Sequence, residues 1–131
     1  MIRKNTKSVL LVFEDSKELA VSEAYLLHHG FKVFKSNSLQ DGIDIVEKNS
    51  PNMVVLNTYD SELDIEHFSK KLKAKKVKKI SLLRLLELEN YLKSSLVREH
   101  IVVKPVHPTL LLNLIKNRMI HDNVTGLPSF R

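Results

Sequence analysis

The sequence contains no cysteine and only three glycines among its 131 residues. Because cysteine is absent, disulfides, thiolate metal sites and cysteine-based catalysis are excluded. The glycines, Gly30, Gly42 and Gly126, lie too far apart to form a dinucleotide-binding fingerprint or a phosphate-binding loop. The six histidines form neither an HxxxH nor an HExxH pattern, so no histidine pair is placed on one helix face to bind a metal.

Long apolar segments are missing as well. The apolar runs are only a few residues long, whereas a membrane-spanning helix needs about 20. The first eight residues are polar and basic and lack the apolar stretch of a signal peptide. We therefore expect a cytoplasmic protein without a membrane segment. The length predicts one domain with at most a short appendage.

Positive charge is concentrated in one segment of the chain. The net charge is +6, and residues 70–79 hold seven lysines: Lys70, Lys71, Lys73, Lys75, Lys76, Lys78 and Lys79. One interpretation is a solvated helix end and loop. The other is an electrostatic surface for an anionic partner, such as an acidic protein. No aromatic residues stand between these lysines, which argues against nucleic acid as the partner.

Apolar runs alternate with helical patterns along the chain. This alternation is typical of βαβ units and a parallel sheet. We predict strands over 8–13, 31–35, 53–57, 79–83 and 101–103, and helices over about 16–29, 39–48, 65–73, 86–97 and from His107-Pro108 onward. A loop is predicted over 58–64. Periodicity does not separate strand from helix in the leucine-rich residues 82–88.

Polar side chains stand directly after three of the apolar runs. Glu14 and Asp15 follow the first run, Asn57 ends the third, and Lys104 follows the fifth. In an open parallel sheet, ligands bind just beyond the carboxyl ends of the strands. The sequence therefore predicts a pocket that holds two carboxylates, an amide and an ammonium group.

This layout resembles the receiver domain of two-component response regulators, the CheY-like family, over about residues 8–120. The resemblance implies an α/β fold, a doubly wound five-stranded parallel sheet of order 2-1-3-4-5 with helices on both faces. It also implies a regulatory domain and not an enzyme. In that family an acidic pair binds magnesium, an aspartate accepts a phosphoryl group, and a lysine contacts the phosphoryl oxygens.

Four positions carry the resemblance to the phosphorylation site. Glu14 and Asp15 match the acidic pair, and Lys104, followed by Pro105, matches the pocket lysine. Asn57 stands at the acceptor position, where the family has aspartate. Since an amide nitrogen is not a nucleophile, the resemblance implies a degenerate acceptor position.

Two further positions depart from the family. The serine or threonine that ends the fourth strand is replaced by Arg84, or is Ser81 if the register differs by three residues. The aromatic switch residue three positions before the lysine is replaced by Ile101. Arg84 and Ile101 are therefore the equivalents of the switch positions.

Three roles for the pocket stay open. In the first role, the pocket is a charge network that stabilises the fold. In the second, Glu14 and Asp15 bind magnesium, at most weakly. No other cofactor is expected. The third role is a working phosphorelay, which needs another acceptor such as Asp60 or Asp64. Fewer carboxylate ligands mean weaker magnesium binding.

The last ten residues resemble the opening segment of GGDEF domains, the catalytic domains of diguanylate cyclases. The matching residues are Asp122, Thr125, Gly126, Leu127 and Pro128. The resemblance divides the chain into a receiver-like domain, 1–120, and a linker with the start of a GGDEF domain, 121–131. It implies a piece of a longer protein that is a diguanylate cyclase.

The main hypothesis is a pseudo-receiver that controls this C-terminal module in cis. Self-association through the fourth helix, fifth strand and fifth helix is expected, and a sensor kinase is a further candidate partner. The leucines of this region are either interface or core: Leu85, Leu86, Leu88, Leu92 and Leu96. The alternatives are a functional phosphoacceptor receiver and a protein-binding adaptor that uses the basic segment 70–79.

Overall fold

Five parallel strands form one sheet in the computed structural model, which describes residues 7–74, 80–91, 93–94 and 100–123, with side chains as far as residue 119. The spatial order of the strands is β2-β1-β3-β4-β5. Their bounds are Ser8–Phe13 (β1), Lys32–Ser36 (β2), Met53–Asn57 (β3), Ser81–Leu86 (β4) and Ile101–Val103 (β5). The predicted fold class and strand order are confirmed.

Helices follow the strands in alternation. Their bounds are Ser16–His28 (α1), Leu39–Asn49 (α2), Glu62–Lys73 (α3), Leu88–Tyr91 (α4) and Pro108–Asn123 (α5). In the described part of the chain, no helix combines the length and the apolar character needed to cross a membrane.

The core has two layers, one on each face of the sheet. Successive side chains of a strand point to opposite faces, and β1 and β3 are buried on both. One layer joins α1 and α5 to the sheet, and its members include Val9, Leu11, Phe13, Val55, Leu26 and Ile115. The other joins α2 and α3 to the sheet, and its members include Leu10, Val12, Val54, Ile43 and Phe68. Each fully buried side chain of this size contributes about 1.5–3 kcal/mol.

Two helix ends carry residue types that favour such positions. Ser38 caps α2, because its Oγ accepts a hydrogen bond from the Asp41 N–H at 3.1 Å. Gly30 follows the end of α1 with a φ of +89°. That conformation strains any residue with a Cβ atom, so the helix ends at a position suited to glycine.

The fourth strand lies further along the chain than predicted. It covers Ser81–Leu86 and not 79–83. All six of its side chains are buried, so its sequence shows no polar alternation that could fix its bounds. The second strand is likewise shifted by one residue, to Lys32–Ser36.

The third helix begins three residues earlier than predicted, at Glu62. Ser61 is its N-cap, and its Oγ accepts a hydrogen bond from the Asp64 N–H at 3.2 Å. The predicted loop over 58–64 therefore ends at Ser61. The carboxylates of Glu62 and Asp64 belong to the first helical turn, where they interact favourably with the helix dipole.

The leucines after β4 have different environments. Leu85 and Leu86 are buried in β4, whereas Leu88, at the start of α4, is 69% exposed. The described part of the fourth helix is shorter than the predicted 86–97. Leu92 and residues 95–99, which include Leu96, lie outside the described residues.

The fifth helix extends past the predicted domain boundary at residue 120, and its described part runs to Asn123. Residues 124–131, with the Thr125–Pro128 match, lie outside the described residues.

Candidate functional site

The carboxyl ends of β1, β3, β4 and β5 meet at one edge of the sheet. Phe13 is in register with Asn57 across β1 and β3, and the Glu14 N–H donates to the Asn57 carbonyl oxygen at 3.2 Å. On the other side, the Lys104 N–H donates to the Leu86 carbonyl oxygen at 2.7 Å. The chain order reverses between β1 and β3, so this edge holds the crevice where open α/β sheets bind ligands.

The side-chain amide of Asn57 is hydrogen-bonded at both ends. Asn57 is 6% exposed. Its Nδ2 donates to Glu18 Oε1 at 2.9 Å, and its Oδ1 accepts from Lys104 Nζ at 2.9 Å. The amide therefore joins a carboxylate of α1 to the ammonium group that follows β5.

Glu18 is a site residue that the sequence analysis missed. It lies three residues after the helix cap Asp15, the spacing of a capping box. That spacing predicts a place in the first turn of α1. It does not predict the contact with Asn57, which lies 39 residues further along the chain.

The two carboxylates of the acidic pair have different roles. Glu14 Oε2 accepts from the Tyr59 N–H at 3.0 Å. Asp15 is the N-cap of α1, and its Oδ1 accepts from the Lys17 and Glu18 N–H groups at 2.8 and 3.0 Å. The backbone hydrogen bond from Glu18, more than that from Lys17, lowers the pKa of Asp15 below its ordinary 3.8. Asp15 is thus held in its charged form by the start of the helix.

Lys104 is the cation at the centre of the site, and its side chain is only 11% exposed. Besides Asn57, its ammonium group lies 3.6 Å from Glu87 Oε2. It also lies 5.7 Å from the centre of the Tyr59 ring, within cation–π range. The Lys104–Pro105 peptide bond is cis.

Glu87 is the first residue after β4. The resemblance predicts Arg84 at this strand end, and that prediction is wrong because β4 continues to Leu86. A glutamate therefore stands at the carboxyl end of the fourth strand, and its contact is the pocket lysine.

Arg84 lies inside β4 and is 3% exposed. Its Nη1 contacts Glu62 Oε2 at 2.8 Å and Oε1 at 3.0 Å, and it reaches Ser94 Oγ at 3.4 Å. Ser81, the other candidate, begins β4 at the opposite end of the strand. Ile101 is half-buried at the start of β5, in register with Arg84. Neither Ser81 nor Ile101 lines the cavities beside Asn57.

Two cavities flank Asn57 and Lys104. One, of about 260 Å³, extends toward α3 and α4 and is lined in part by Asp60 and Arg84. The other, of about 560 Å³, lies between α1 and the start of α5. Asp64 lines neither of them and instead borders a third cavity between α2 and α3. Of the two alternative acceptors, Asp60 is therefore the one beside Asn57.

The residues present do not fit a magnesium ion in this arrangement. Among the described residues, no group of three or more acidic, histidine or cysteine side chains is placed to hold a metal. The oxygen of Asn57 accepts from the Lys104 ammonium group, and Asp15 Oδ1 accepts two backbone N–H groups. A cation at Asn57 Oδ1 would have to displace Lys104.

Several solved structures are similar to this chain. A putative response regulator from Chloroflexus aurantiacus is 18% identical with a TM-score of 0.67, over 88% of this chain and 99% of that one. A response regulator receiver modulated diguanylate cyclase from Pelobacter carbinolicus is 20% identical with a TM-score of 0.68, over 89% and 95%. A response regulator from Desulfuromonas acetoxidans is 16% identical with a TM-score of 0.69, over 88% and 98%.

These similarities, together with the strand order, show that the chain has the flavodoxin-like fold of response-regulator receiver domains. No protein-family model and no curated protein sequence matches the chain.

Proposed function

We propose that this chain is a pseudo-receiver, a signalling domain of receiver fold that does not accept a phosphoryl group. In this proposal it controls a diguanylate cyclase module that follows it, through self-association or contact with a partner protein. The domain itself is regulatory and catalyses no reaction.

The observation that carries the proposal is the environment of Asn57. The residue stands at the end of β3, beside the lysine, and both ends of its amide are hydrogen-bonded. The amide nitrogen is not nucleophilic because its lone pair is delocalised into the carbonyl group. Asp60 is the nearby alternative acceptor, but it lies in the loop after β3 and not at the strand end.

The proposed output rests on the carboxyl-terminal residues. Asp122 and Thr125–Pro128 match the opening of GGDEF domains, and one similar solved structure is described as a receiver modulated diguanylate cyclase. Since α5 runs to Asn123, it leads directly into this segment. A change in the orientation of α5 would therefore reach the following module.

Exposed apolar side chains support self-association through α4, β5 and α5. Leu88, Val103 and Leu110 are 69%, 36% and 50% exposed, one on each of these three elements. Each of the three elements in the proposed interface therefore offers one apolar side chain that a partner could cover.

The basic segment gives less support to an adaptor function. Lys70, Lys71 and Lys73 are exposed in the last turn of α3, and Lys70 makes a long contact of 3.9 Å with Glu66. Cations stabilise the carboxyl end of a helix, so these three lysines have a structural explanation without a partner. The other four lysines lie outside the described residues.

The first test of the proposal is nuclear magnetic resonance of the protein with magnesium and then beryllofluoride, a mimic of the phosphoryl group. We expect only small chemical-shift changes in the backbone amides of Glu14, Asp15, Asn57 and Lys104. These changes should be no larger than those caused by sodium chloride at the same ionic strength, which is the control. Beryllofluoride-dependent shifts that spread from Asn57 to β5 and α5 would contradict the pseudo-receiver proposal.

The second test concerns self-association. Leu88→Asp is expected to raise the dimer dissociation constant by at least about tenfold, since it removes an apolar contact and adds a charge. The matched control is Leu63→Asp, which changes an exposed leucine of α3. Sedimentation velocity over a concentration series measures both, and equal effects would rule out the α4–β5–α5 surface. In the chain with its cyclase module, Leu88→Asp should lower cyclic di-GMP synthesis in parallel.

A further inference from the structure

We infer that Glu18 is a positioning residue that requires a neutral amide, and excludes a carboxylate, at the end of β3. The inference rests on the same pocket as the proposed function and explains why its acceptor position holds asparagine. Glu18 brings a carboxylate from α1 to within one hydrogen bond of the side chain at the end of β3.

The two neighbours of the Asn57 side chain differ in whether they donate or accept hydrogen bonds. Glu18 offers a carboxylate, which only accepts, and Lys104 offers an ammonium group, which only donates. A side chain between them must donate on one side and accept on the other. Asn57 does both, each at 2.9 Å.

A carboxylate at position 57 would keep one of these contacts and reverse the other. It would still accept from Lys104, but it would place a second negative oxygen against Glu18 Oε1. Two carboxylates in contact cannot both stay ionised without cost, so one of them would take up a proton. The cost should therefore grow as the pH rises.

The charged groups around position 57 do not remove this conflict. The charged residues that follow β1 or line the two cavities beside Asn57 are the acids Glu14, Asp15, Glu18, Asp60, Glu62 and Glu87 and the bases Lys17, Arg84, Lys93 and Lys104. Lys104 is the cation bonded to the Asn57 side chain, and it already lies 3.6 Å from Glu87. The surplus around position 57 is thus negative.

Capping of α1 does not account for the direction of Glu18. Asp15 caps the helix through the Lys17 and Glu18 N–H groups. The Glu18 carboxylate bonds instead to a side chain of β3. A purely helix-stabilising role would need no particular residue at position 57.

The test compares Asn57→Asp, Glu18→Gln and the double variant, which exchanges donor and acceptor while keeping the net charge of the pair. Without divalent cations at pH 8, we expect Asn57→Asp to lower the Tm by about 5 °C, with a smaller drop at pH 5. The double variant should recover most of this loss, because a glutamine at position 18 can donate to the new carboxylate.

The matched control is Glu23→Gln, alone and with Asn57→Asp. Glu23 is another acidic residue of α1, and it pairs with Lys35 at 3.3 Å. This change should not rescue Asn57→Asp. In the native background, Glu18→Gln should move the side-chain NH₂ resonances of Asn57, whereas Glu23→Gln should leave them in place.

The inference is overturned if Asn57→Asp matches the native Tm at pH 8, or if Glu23→Gln rescues it as well as Glu18→Gln does. These outcomes are distinct from failure of the proposed function. A beryllofluoride response of the native protein would contradict the pseudo-receiver and leave the Glu18–Asn57 pair intact. If Glu18→Gln failed to rescue Asn57→Asp, the inference about Glu18 would be wrong. The native protein would still show no response to beryllofluoride, so the pseudo-receiver proposal would stand.

Discussion

The first turns of α1 and α3 begin at the same edge of the sheet and use the same device. Asp15 caps α1, and Ser61 caps α3. Each first turn then directs one glutamate to a buried polar side chain. Glu18 reaches Asn57 at 2.9 Å, and Glu62 reaches Arg84 at 2.8 Å.

The two helices differ in what the glutamate meets. Glu62 contacts its cation directly, so the charge of Arg84 is balanced at one short ion pair. Glu18 reaches Lys104 only through the amide of Asn57, and Lys104 shares its charge with the more distant Glu87. The α3 contact is therefore a fixed structural support, whereas the α1 contact depends on the residue type at position 57.

The largest effect is expected from Glu62→Ala. This change leaves Arg84, which is 3% exposed, without its short ion pair, at a cost of about 2–3 kcal/mol in the free energy of unfolding. The control is Glu66→Ala, which removes an exposed 3.9 Å contact with Lys70 and should cost at most about 0.5 kcal/mol. Urea denaturation followed by circular dichroism measures both. Equal losses would show that Arg84 does not depend on Glu62.

The caps should respond differently to pH. The pKa of Asp15 is lowered in the folded protein, mainly by the backbone hydrogen bond from Glu18. Its charged form therefore stabilises the fold above the unfolded pKa, and this contribution is lost as the pH falls through the folded pKa. The stability difference between the native protein and Asp15→Ala should be full at pH 7 and shrink below about pH 4.

The matched control for this pH dependence is Ser61→Ala, since the hydroxyl cap of α3 does not titrate. Its stability difference from the native protein should stay nearly constant between pH 7 and pH 3. Urea denaturation at three pH values separates the two caps. Parallel curves for Asp15→Ala and Ser61→Ala would contradict a charged cap on α1.

The smallest effect is expected from Glu87→Gln. The Glu87 side chain is half exposed, and its contact with Lys104 is 3.6 Å long. Exposed ion pairs contribute less than about 1 kcal/mol and weaken in salt. The loss in Tm should be small at low salt and vanish at high salt. A large loss that persists in salt would mean that Glu87, and not Asn57, is the main partner of Lys104.

Much of the fold follows from local patterns in the sequence. The bounds of β1, β3 and β5 match the structure because each is a continuous apolar run with polar neighbours. The helix ends at Ser38 and Gly30 also follow from single residues, a serine whose hydroxyl caps α2 and a glycine that adopts a positive φ after α1. The bounds of β4 were not predictable, because leucines continue past the carboxyl end of the predicted strand 79–83, at Leu85, Leu86 and Leu88.

The site was predictable only in part. The polar residues Glu14, Asp15, Asn57 and Lys104 each end or follow an apolar run, so their shared edge follows from the parallel topology. Glu18 and Glu62, which contact buried polar groups, carry no such mark, and Glu87 follows a leucine-rich stretch whose end periodicity does not define. They resemble ordinary charged residues at helix and strand ends.

The sequence by itself determined the number of strands, their alternation with helices, and the amide at the end of the third strand. Only the tertiary structure decided which carboxylate meets which buried group. Glu18 and Asn57 are 39 residues apart and Arg84 and Glu62 are 22 apart, so these contacts are set by the packing of helices on the sheet. Donors and acceptors that lie this far apart in the sequence meet only after the helices have packed at the carboxyl edge of the sheet. No local sequence pattern therefore predicts these hydrogen bonds.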